Sequence, residues 1–432
     1  MTSSQRDTNI TLALLLLIFG FWLWGLEWLH MRPDEHLVYM HTDYDSVVGA
    51  VTYQATRDVQ APLWHSFFWT WRQLVGDSEF AGRYQGVLWS TITLAMLYRL
   101  LHDTFDAPRY GWLAMTFVAV NAHFFTYAFE IRPYPIVLLG SVFSAWCLLR
   151  WLDSPTWGRA LRYGGSLALL AYTHYFTAFW VAAQWIYAAF QPSARRAWQQ
   201  LAGATLLAGA VWGIWFPVFL GQVAALRRID GTFGIGSTTT ATSWSVIEQL
   251  ALLASNGLPL LLIALFAVGL FTVRRREYAF LLLWAVGAPA IALTANLFAS
   301  VYDTRYVVYM SLGVGAATAV SLGSLRRVWL PLSLVVMALM LWRLPSHLPD
   351  REPYRTIFQG MSAASHPDDL LFFDEADLER SYVRWLLNQY TDPILLENGT
   401  LDFDEAAHAR RVWHITSKLL DPDVQSNFRE LE

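Results

Sequence analysis

Apolar residues in this chain come in long unbroken runs rather than at the three-to-four spacing of a surface helix. The stretches 10–29, 111–127, 135–149 and 163–172 hold one acidic residue between them, Glu27, and no Lys or Arg. A hydrocarbon core about 30 Å thick takes roughly 20 apolar residues per helix, and such runs recur as far as residue 343. Hydropathy predicts about eleven spans, near 10–29, 86–101, 110–128, 135–151, 160–173, 176–190, 200–219, 247–272, 278–298, 306–323 and 328–343. The first run is long and Trp-rich and reads as a retained span rather than a cleaved signal peptide.

Two regions depart from this pattern. The segment of about 30–85 is too long for a helix connection, and within it Val47–Thr56 and Pro62–Val75 have the amphipathic, Trp-rich character of helices lying in the membrane interface. From residue 344 the polar content rises. Leu370–Phe373, Ile394–Leu396 and Val412–Ile415 read as short strands, and Asp377–Tyr390 has a helical pattern. The expected organisation is therefore an all-α polytopic membrane domain over 1–343 and a small soluble α/β domain over 344–432.

Arginines set the predicted topology. Arg99 and Arg109, Arg150 with Arg159 and Arg162, Arg195–Arg196, Arg274–Arg276 and Arg326–Arg327 fall in alternate connections, and short Arg-rich loops stay cytoplasmic. The opposite connections (30–85, 129–134, 173–176, 220–246, 299–305 and the tail) then face outward. Composition agrees: 55% of the 432 residues are hydrophobic and 15% charged, against about 25% charged in soluble domains. A net charge of −4 gives no electrostatic case for a nucleic-acid partner. The single cysteine, Cys147, excludes an internal disulfide and a Cys-based metal site.

Five polar features share the predicted outer face. Arg32-Pro33-Asp34-Glu35-His36 follows the first span. Its paired carboxylates can supply a general base, or simply favour a helix start. Asp58 through His65 leads into the second amphipathic helix, with Pro62 at its start. Glu130-Ile131-Arg132-Pro133-Tyr134 is a whole connection with ionisable groups at membrane depth, where such groups are costly and usually functional. His174 lies among aromatics in Thr173-His174-Tyr175, a setting more typical of a structural histidine, and Tyr302-Asp303-Thr304-Arg305-Tyr306 precedes a late span. Arg132, Arg305 and His174 suit a phosphate. A carboxylate base beside such groups at a bilayer surface fits sugar transfer from a lipid phosphate.

In their order along the chain these segments resemble the GT-C type glycosyltransferases that use polyprenyl-phosphate sugars, the superfamily of protein mannosyltransferases and aminoarabinose transferases, closest to its family-39-like members. Pro33-Asp34-Glu35 is similar to the first-loop Asp-Glu motif, and Asp58–Leu63 to the loop that usually ends Pro-Pro-Leu. Gly76–Arg83 is similar to Gly-x-Ser-Glu-Phe-Ala-x-Arg, Glu130–Tyr134 to Glu-Ala-Arg-x-Tyr, Thr173-His174-Tyr175 to Thr-His-Tyr, and Arg305-Tyr306 to Arg-Tyr. The resemblance implies a GT-C fold, inverting transfer from a polyprenyl-phosphate-linked sugar to a lipid, glycan or protein acceptor, and no nucleotide. It implies Asp34 as general base with Glu35 beside it, and Arg132 and Arg305 on the donor phosphate with His174 near them. Glu130, Tyr134, Tyr306 and His65 are then expected to contact substrate. Gln60 and Ala61 depart from the family pattern, where a basic residue and a second Pro are usual, so that Arg57 or His65 would have to supply a missing cation; Pro133 is a second departure. No cofactor is implied, and Asp34 with Glu35 are too few ligands for a dedicated Mg²⁺ or Ca²⁺ cage, which leaves metal dependence open. The alternative is a transporter with outer-face charges lining a solute or proton path, but its sites are usually built at the midplane in paired halves, and no paired half is visible.

Overall fold

The computed structural model describes residues 3–230, 243–273, 276–297 and 303–349, and in the tail 363, 370–373, 394–395 and 412–415. It divides into two units, one made of 1–29, 44–76 and 80–349, the other of 30–43, 77–79 and 350–432.

The first unit is helical. Helix α1 (Ser3–Gly25) runs into a 3-10 turn, Leu26–Trp28. A nine-residue helix of the second unit, α2 (Pro33–His41), follows it in the chain. Next come α3 (Val47–Arg57), α4 (Pro62–Val75) and α5 (Glu79–Phe105). The two helices expected inside the first loop are thus present. Ser46 caps α3 by accepting the Gly49 N–H, and Pro62 opens α4 where its missing N–H costs nothing. The loop is shorter than the apolar pattern suggested, because α5 begins at Glu79 rather than near 86.

Beyond α5 the chain forms α6 (Pro108–Ala119), α7 (Ala122–Ala128), α8 (Tyr134–Asp153), α9 (Trp157–Thr173) and α10 (Thr177–Ala189). These lead to α11 (Pro192–Arg196), α12 (Trp198–Gly213), α13 (Phe216–Asp230), α14 (Ser243–Ser255) and α15 (Pro259–Thr272). The last are α16 (Arg276–Leu282), α17 (Ala288–Asn296), α18 (Met310–Gly323) and α19 (Trp329–Arg343).

Among the described residues three helical stretches are long and apolar enough to cross a membrane, Gln5–Trp28, Tyr134–Asp153 and Arg276–Asn296, the last containing a π-helical turn at Leu283–Gly287. The number rises to five if α12 with α13 (bent by 60°) and α14 with α15 (bent by 73°) each count as one span. The protein is a multi-pass membrane protein on this basis, with fewer continuous spans than the eleven apolar runs. The reason is local: the run 110–128 is cut at Val120–Asn121 into α6 and α7, and the run 306–323 opens as a 3-10 turn, Thr304–Val307, before α18.

Helix α18 is buried along its whole length, which explains its run of small residues, since small side chains let helix backbones approach closely within a bilayer. A Cβ at Gly313 would lie 2.6 Å from the backbone N of Ala285, so this contact admits only glycine. The breaks in α6–α7 and α14–α15 are stitched together. Asn121 Nδ2 donates to the Ala254 carbonyl at 2.7 Å, and the Ala122 N–H donates to Asn256 Oδ1 at 2.8 Å. Asn256 Nδ2 donates to the carbonyls of Val120 (2.7 Å) and Met340 (3.0 Å). Asn256 has φ 52°, a left-handed conformation that Asn tolerates better than other side-chain-bearing residues. Backbone groups freed by the two interruptions are in this way satisfied inside protein, as a low-dielectric surrounding requires.

In the second unit, Leu370–Phe373 (β1), Ile394–Leu395 (β2) and Val412–Ile415 (β3) form a parallel sheet of order β2-β1-β3, with Leu370 opposite both Ile394 and Val412. The helix expected over Asp377–Tyr390 lies outside the described residues.

Candidate functional site

Three connections of the first unit build one cluster. The first, 129–133, follows α7, whose N-terminus is capped by Asn121 through the Phe124 N–H. Its path against α5 depends on Gly86: a Cβ there would sit 2.7 Å from the Ala128 carbonyl oxygen and 2.8 Å from Phe129 Cα. This approach seats Glu130 and Ile131 in the interior and leaves Arg132 partly buried. Pro133 then starts α8, and Tyr134 is fully buried.

The second connection is 303–307. Asp303 caps its 3-10 turn by accepting the Arg305 N–H at 3.0 Å, and its other carboxylate oxygen pairs with Arg305 Nε at 3.0 Å. One residue therefore fixes both the backbone and the guanidinium of Arg305. The turn is tied to α7 by His123 Nε2, 2.9 Å from the Thr304 carbonyl, and by Tyr127 OH, 3.0 Å from Thr304 Oγ1.

The third is 173–176. The His174 ring lies 5.8 Å from Tyr134 and 5.3 Å from Tyr306, and Tyr306 stacks on Phe176 at 4.2 Å with an interplanar angle of 5°. Arg305 lies 5.5 Å from the Tyr306 ring centroid, within cation–π range. The Phe176 N–H donates to His174 Nδ1 at 3.3 Å, which leaves the ring proton on Nε2. Burial, together with the positive charges of Arg132 and Arg305, holds the His174 pKa down at about 3. His174 is therefore neutral, a hydrogen-bond donor beside two cations and not a third cation. The Tyr134 hydroxyl stands in the field of Arg305, Arg132 and Glu130, and is buried with no hydrogen-bond partner among the described residues.

Arg132, Arg305, His174, Glu130, Tyr134 and Tyr306 are thus brought together from connections separated by up to 176 positions in sequence. His65 is buried on a different element, α4. Asp34 and Glu35 belong to the second unit, at the second and third positions of α2. There the Glu35 carboxylate accepts the Arg32 N–H at 2.9 Å and closes a capping box, so Glu35 has a helix-starting role, while Asp34 is partly exposed. Among the described residues no three His, Cys, Asp or Glu side chains group as metal ligands.

The segment 58–61 is held from several sides. The Gln60 carbonyl accepts from Gln54 Nε2 (2.8 Å), Tyr175 OH (3.0 Å) and Gln222 Nε2 (3.1 Å), while the Gln60 side chain donates to Asp58. Trp215 Nε1 donates to Tyr175 OH at 2.8 Å. Burial pushes the Tyr175 phenol above its ordinary pKa, against the Trp215 bond and with the help of the Asp58 charge. Gln60, which departs from the family pattern, is thus part of a structural knot. Arg83, from the Gly76–Arg83 motif, is also structural: it donates to the Leu26 carbonyl at 3.2 Å and to that of Leu29. Sequence reasoning gave no role to Asp303, Thr304, His123 or Tyr127. The only signal available was the place of Asp303 two residues before Arg305.

Two solved structures of known proteins are similar to this chain. The crystal structure of ArnT from Cupriavidus metallidurans bound to undecaprenyl phosphate is similar, with a TM-score of 0.52 at 12% identity, over 96% of this chain and 90% of that one. An archaeal oligosaccharyltransferase, AglB from Archaeoglobus fulgidus, in complex with an inhibitory peptide and a dolichol-phosphate, overlaps 94% of this chain and 64% of its own, at 12% identity and a TM-score of 0.47. No curated protein matches by sequence. The chain shares the fold of ArnT over almost its whole length. Within it, residues 59–220 match the family model of the dolichyl-phosphate-mannose-protein mannosyltransferases.

Proposed function

We propose that the protein transfers a sugar, with inversion, from a polyprenyl-phosphate donor to a lipid, glycan or protein acceptor on the periplasmic side of the bacterial inner membrane. The observation that carries this reading is the pair of guanidinium groups, Arg132 and Arg305, flanking a neutral His174. Two fixed cations and an N–H donor match a phosphate monoester or diester. The fold shared with ArnT, whose structure holds undecaprenyl phosphate, supports a lipid-linked donor.

In this mechanism Asp34 takes the proton of the acceptor hydroxyl as its oxygen attacks the anomeric carbon. The bond from that carbon to the phosphate oxygen breaks with its electron pair, and polyprenyl phosphate departs. Arg132 and Arg305 offset the charge that grows on the leaving oxygen, and His174 adds a hydrogen bond through Nε2–H. Glu130 and the Tyr134 hydroxyl accept and donate to sugar or acceptor hydroxyls, Tyr306 forms an aromatic wall, and His65 is a further substrate contact. Glu35 acts by starting α2 and so setting the direction of Asp34.

The test is purified Asp34→Asn with a polyprenyl-phosphate sugar pool and undecaprenyl phosphate as binding probe. Loss of transfer with retained binding is expected; near-normal transfer by this variant would overturn the base assignment.

A further inference from the structure

A second basic site lies at the other end of α8. Trp146, Cys147 and Arg150 share one face of α8, four residues apart at most, and Arg159 and Arg162 share a face of α9 at the i, i+3 spacing. Together these five line a recess of about 420 Å³, counting the part open to solvent. Arg150 is sixteen residues along α8 from Tyr134, or about 24 Å of helix rise, so this recess and the cluster around Arg132 occupy opposite ends of one membrane-crossing helix.

Charge in the recess is unbalanced. Arg159 is anchored by donating to the carbonyls of Arg150 (2.8 Å) and Ser154 (3.2 Å), and Arg162 donates to the Gly158 carbonyl at 3.4 Å. Those bonds use only some of the five N–H donors each guanidinium carries. No carboxylate lies within 4.0 Å of any of the three among the described residues. The adjacent recess, by contrast, is lined by Asp103, Asp153 and Glu277 with Arg276, and its Arg276–Glu277 pair closes at 3.2 Å. The Trp146 indole N–H donates to Asp103 at 3.1 Å, which directs that carboxylate to Trp146 and, through a 3.0 Å pair, to Arg99. Three like charges around one concavity repel one another unless an anion joins them.

The flank of the recess indicates what kind of anion. The half-buried indole of Trp146 lines the recess beside the three guanidinium groups. An indole beside guanidinium groups at a span end is the composition of a headgroup-level surface, where basic pockets between spans bind anionic lipid headgroups. We propose that this recess binds the phosphate of an anionic membrane phospholipid, with Arg150, Arg159 and Arg162 on the phosphate and the Trp146 indole at the level of its headgroup.

The full-length protein in neutral detergent tests this by native mass spectrometry and thermal unfolding, with phosphatidylglycerol, phosphatidylcholine and inorganic phosphate as probes. Phosphatidylglycerol should bind and raise the unfolding midpoint, and the other two should not. Arg162→Gln, at an exposed position, should weaken phosphatidylglycerol about fivefold, and the triple variant Arg150→Gln, Arg159→Gln, Arg162→Gln about a hundredfold. Should the triple variant fail to fold, the single one decides. Unchanged phosphatidylglycerol affinity in Arg162→Gln, equal stabilisation by phosphatidylcholine, or stabilisation by inorganic phosphate at the same concentration would each overturn the proposal.

Discussion

The neutrality of His174 makes a quantitative prediction about donor binding. With its pKa held at about 3, far below the ordinary imidazole value, the ring is neutral across the range from pH 5 to 8. Its contribution to phosphate binding is then that of one N–H donor, worth about 1.5–3 kcal/mol toward a charged acceptor, or a ten- to hundredfold change in affinity. His174→Leu removes the donor; His174→Gln keeps one. The assay is binding of undecaprenyl phosphate to wild type and His174→Leu from pH 5 to 8. Because the ligand titrates identically in both, the ratio of the two affinities isolates the imidazole and should stay flat. A ratio that climbs tenfold as pH falls from 7.5 to 5.5 would show a protonating histidine and refute the assignment. The sign for stability follows from the same value. An unfolded chain protonates this histidine near pH 6.5 while the folded one does so only near 3. The folded state is therefore favoured above pH 6.5 and loses that advantage as pH falls from 6.5 toward 3, by at most about 1.4 kcal/mol per pH unit, less for the part of the ring that meets solvent.

Other perturbations separate chemistry from scaffolding. Arg132→Ala and Arg305→Ala should each weaken undecaprenyl phosphate binding by about ten- to hundredfold through loss of a charge-assisted contact, measured by the same titration; unchanged binding removes that residue from the donor site. Glu35→Gln keeps an acceptor for the Arg32 N–H and should transfer sugar at close to the wild-type rate, whereas Glu35→Ala should cost about 0.5–2 kcal/mol of folding stability in a denaturant titration. Asn256→Ala orphans the Ala122 N–H and two carbonyls and places a Cβ-bearing residue without amide support at φ 52°. At about 1–3 kcal/mol per buried orphan the full-length protein should lose most of its yield in membranes, read by a C-terminal fluorescent reporter.

Continuous apolar runs revealed α1 and α8 because a helix crossing a bilayer must be apolar all round, and Pro62–Val75 was legible from its opening proline and its Trp-rich stripe. One interruption was not. Asn256-Gly257 and Pro259 are local turn signals within an apolar run, but nothing of that kind marks Val120–Asn121, which is stabilised by an amide about 135 positions away in sequence. The arginines and His174 were legible because charge at membrane depth is conspicuous, but the protonation state of His174 depends on two guanidinium groups brought in from elsewhere. Asp303 looked like loop polarity until its two contacts with Arg305 appeared.

The separation of the two guanidinium groups also has a consequence in time. Arg132 leaves the ribosome 173 residues before Arg305, an interval of about 10–35 s at usual elongation rates. Throughout it the nascent chain carries only half of the proposed phosphate site, with the turn that completes it still unsynthesised. On the proposed function, a truncated chain released before residue 300 should insert and yet hold undecaprenyl phosphate no better than Arg305→Ala, which would make donor capture a late event in biogenesis.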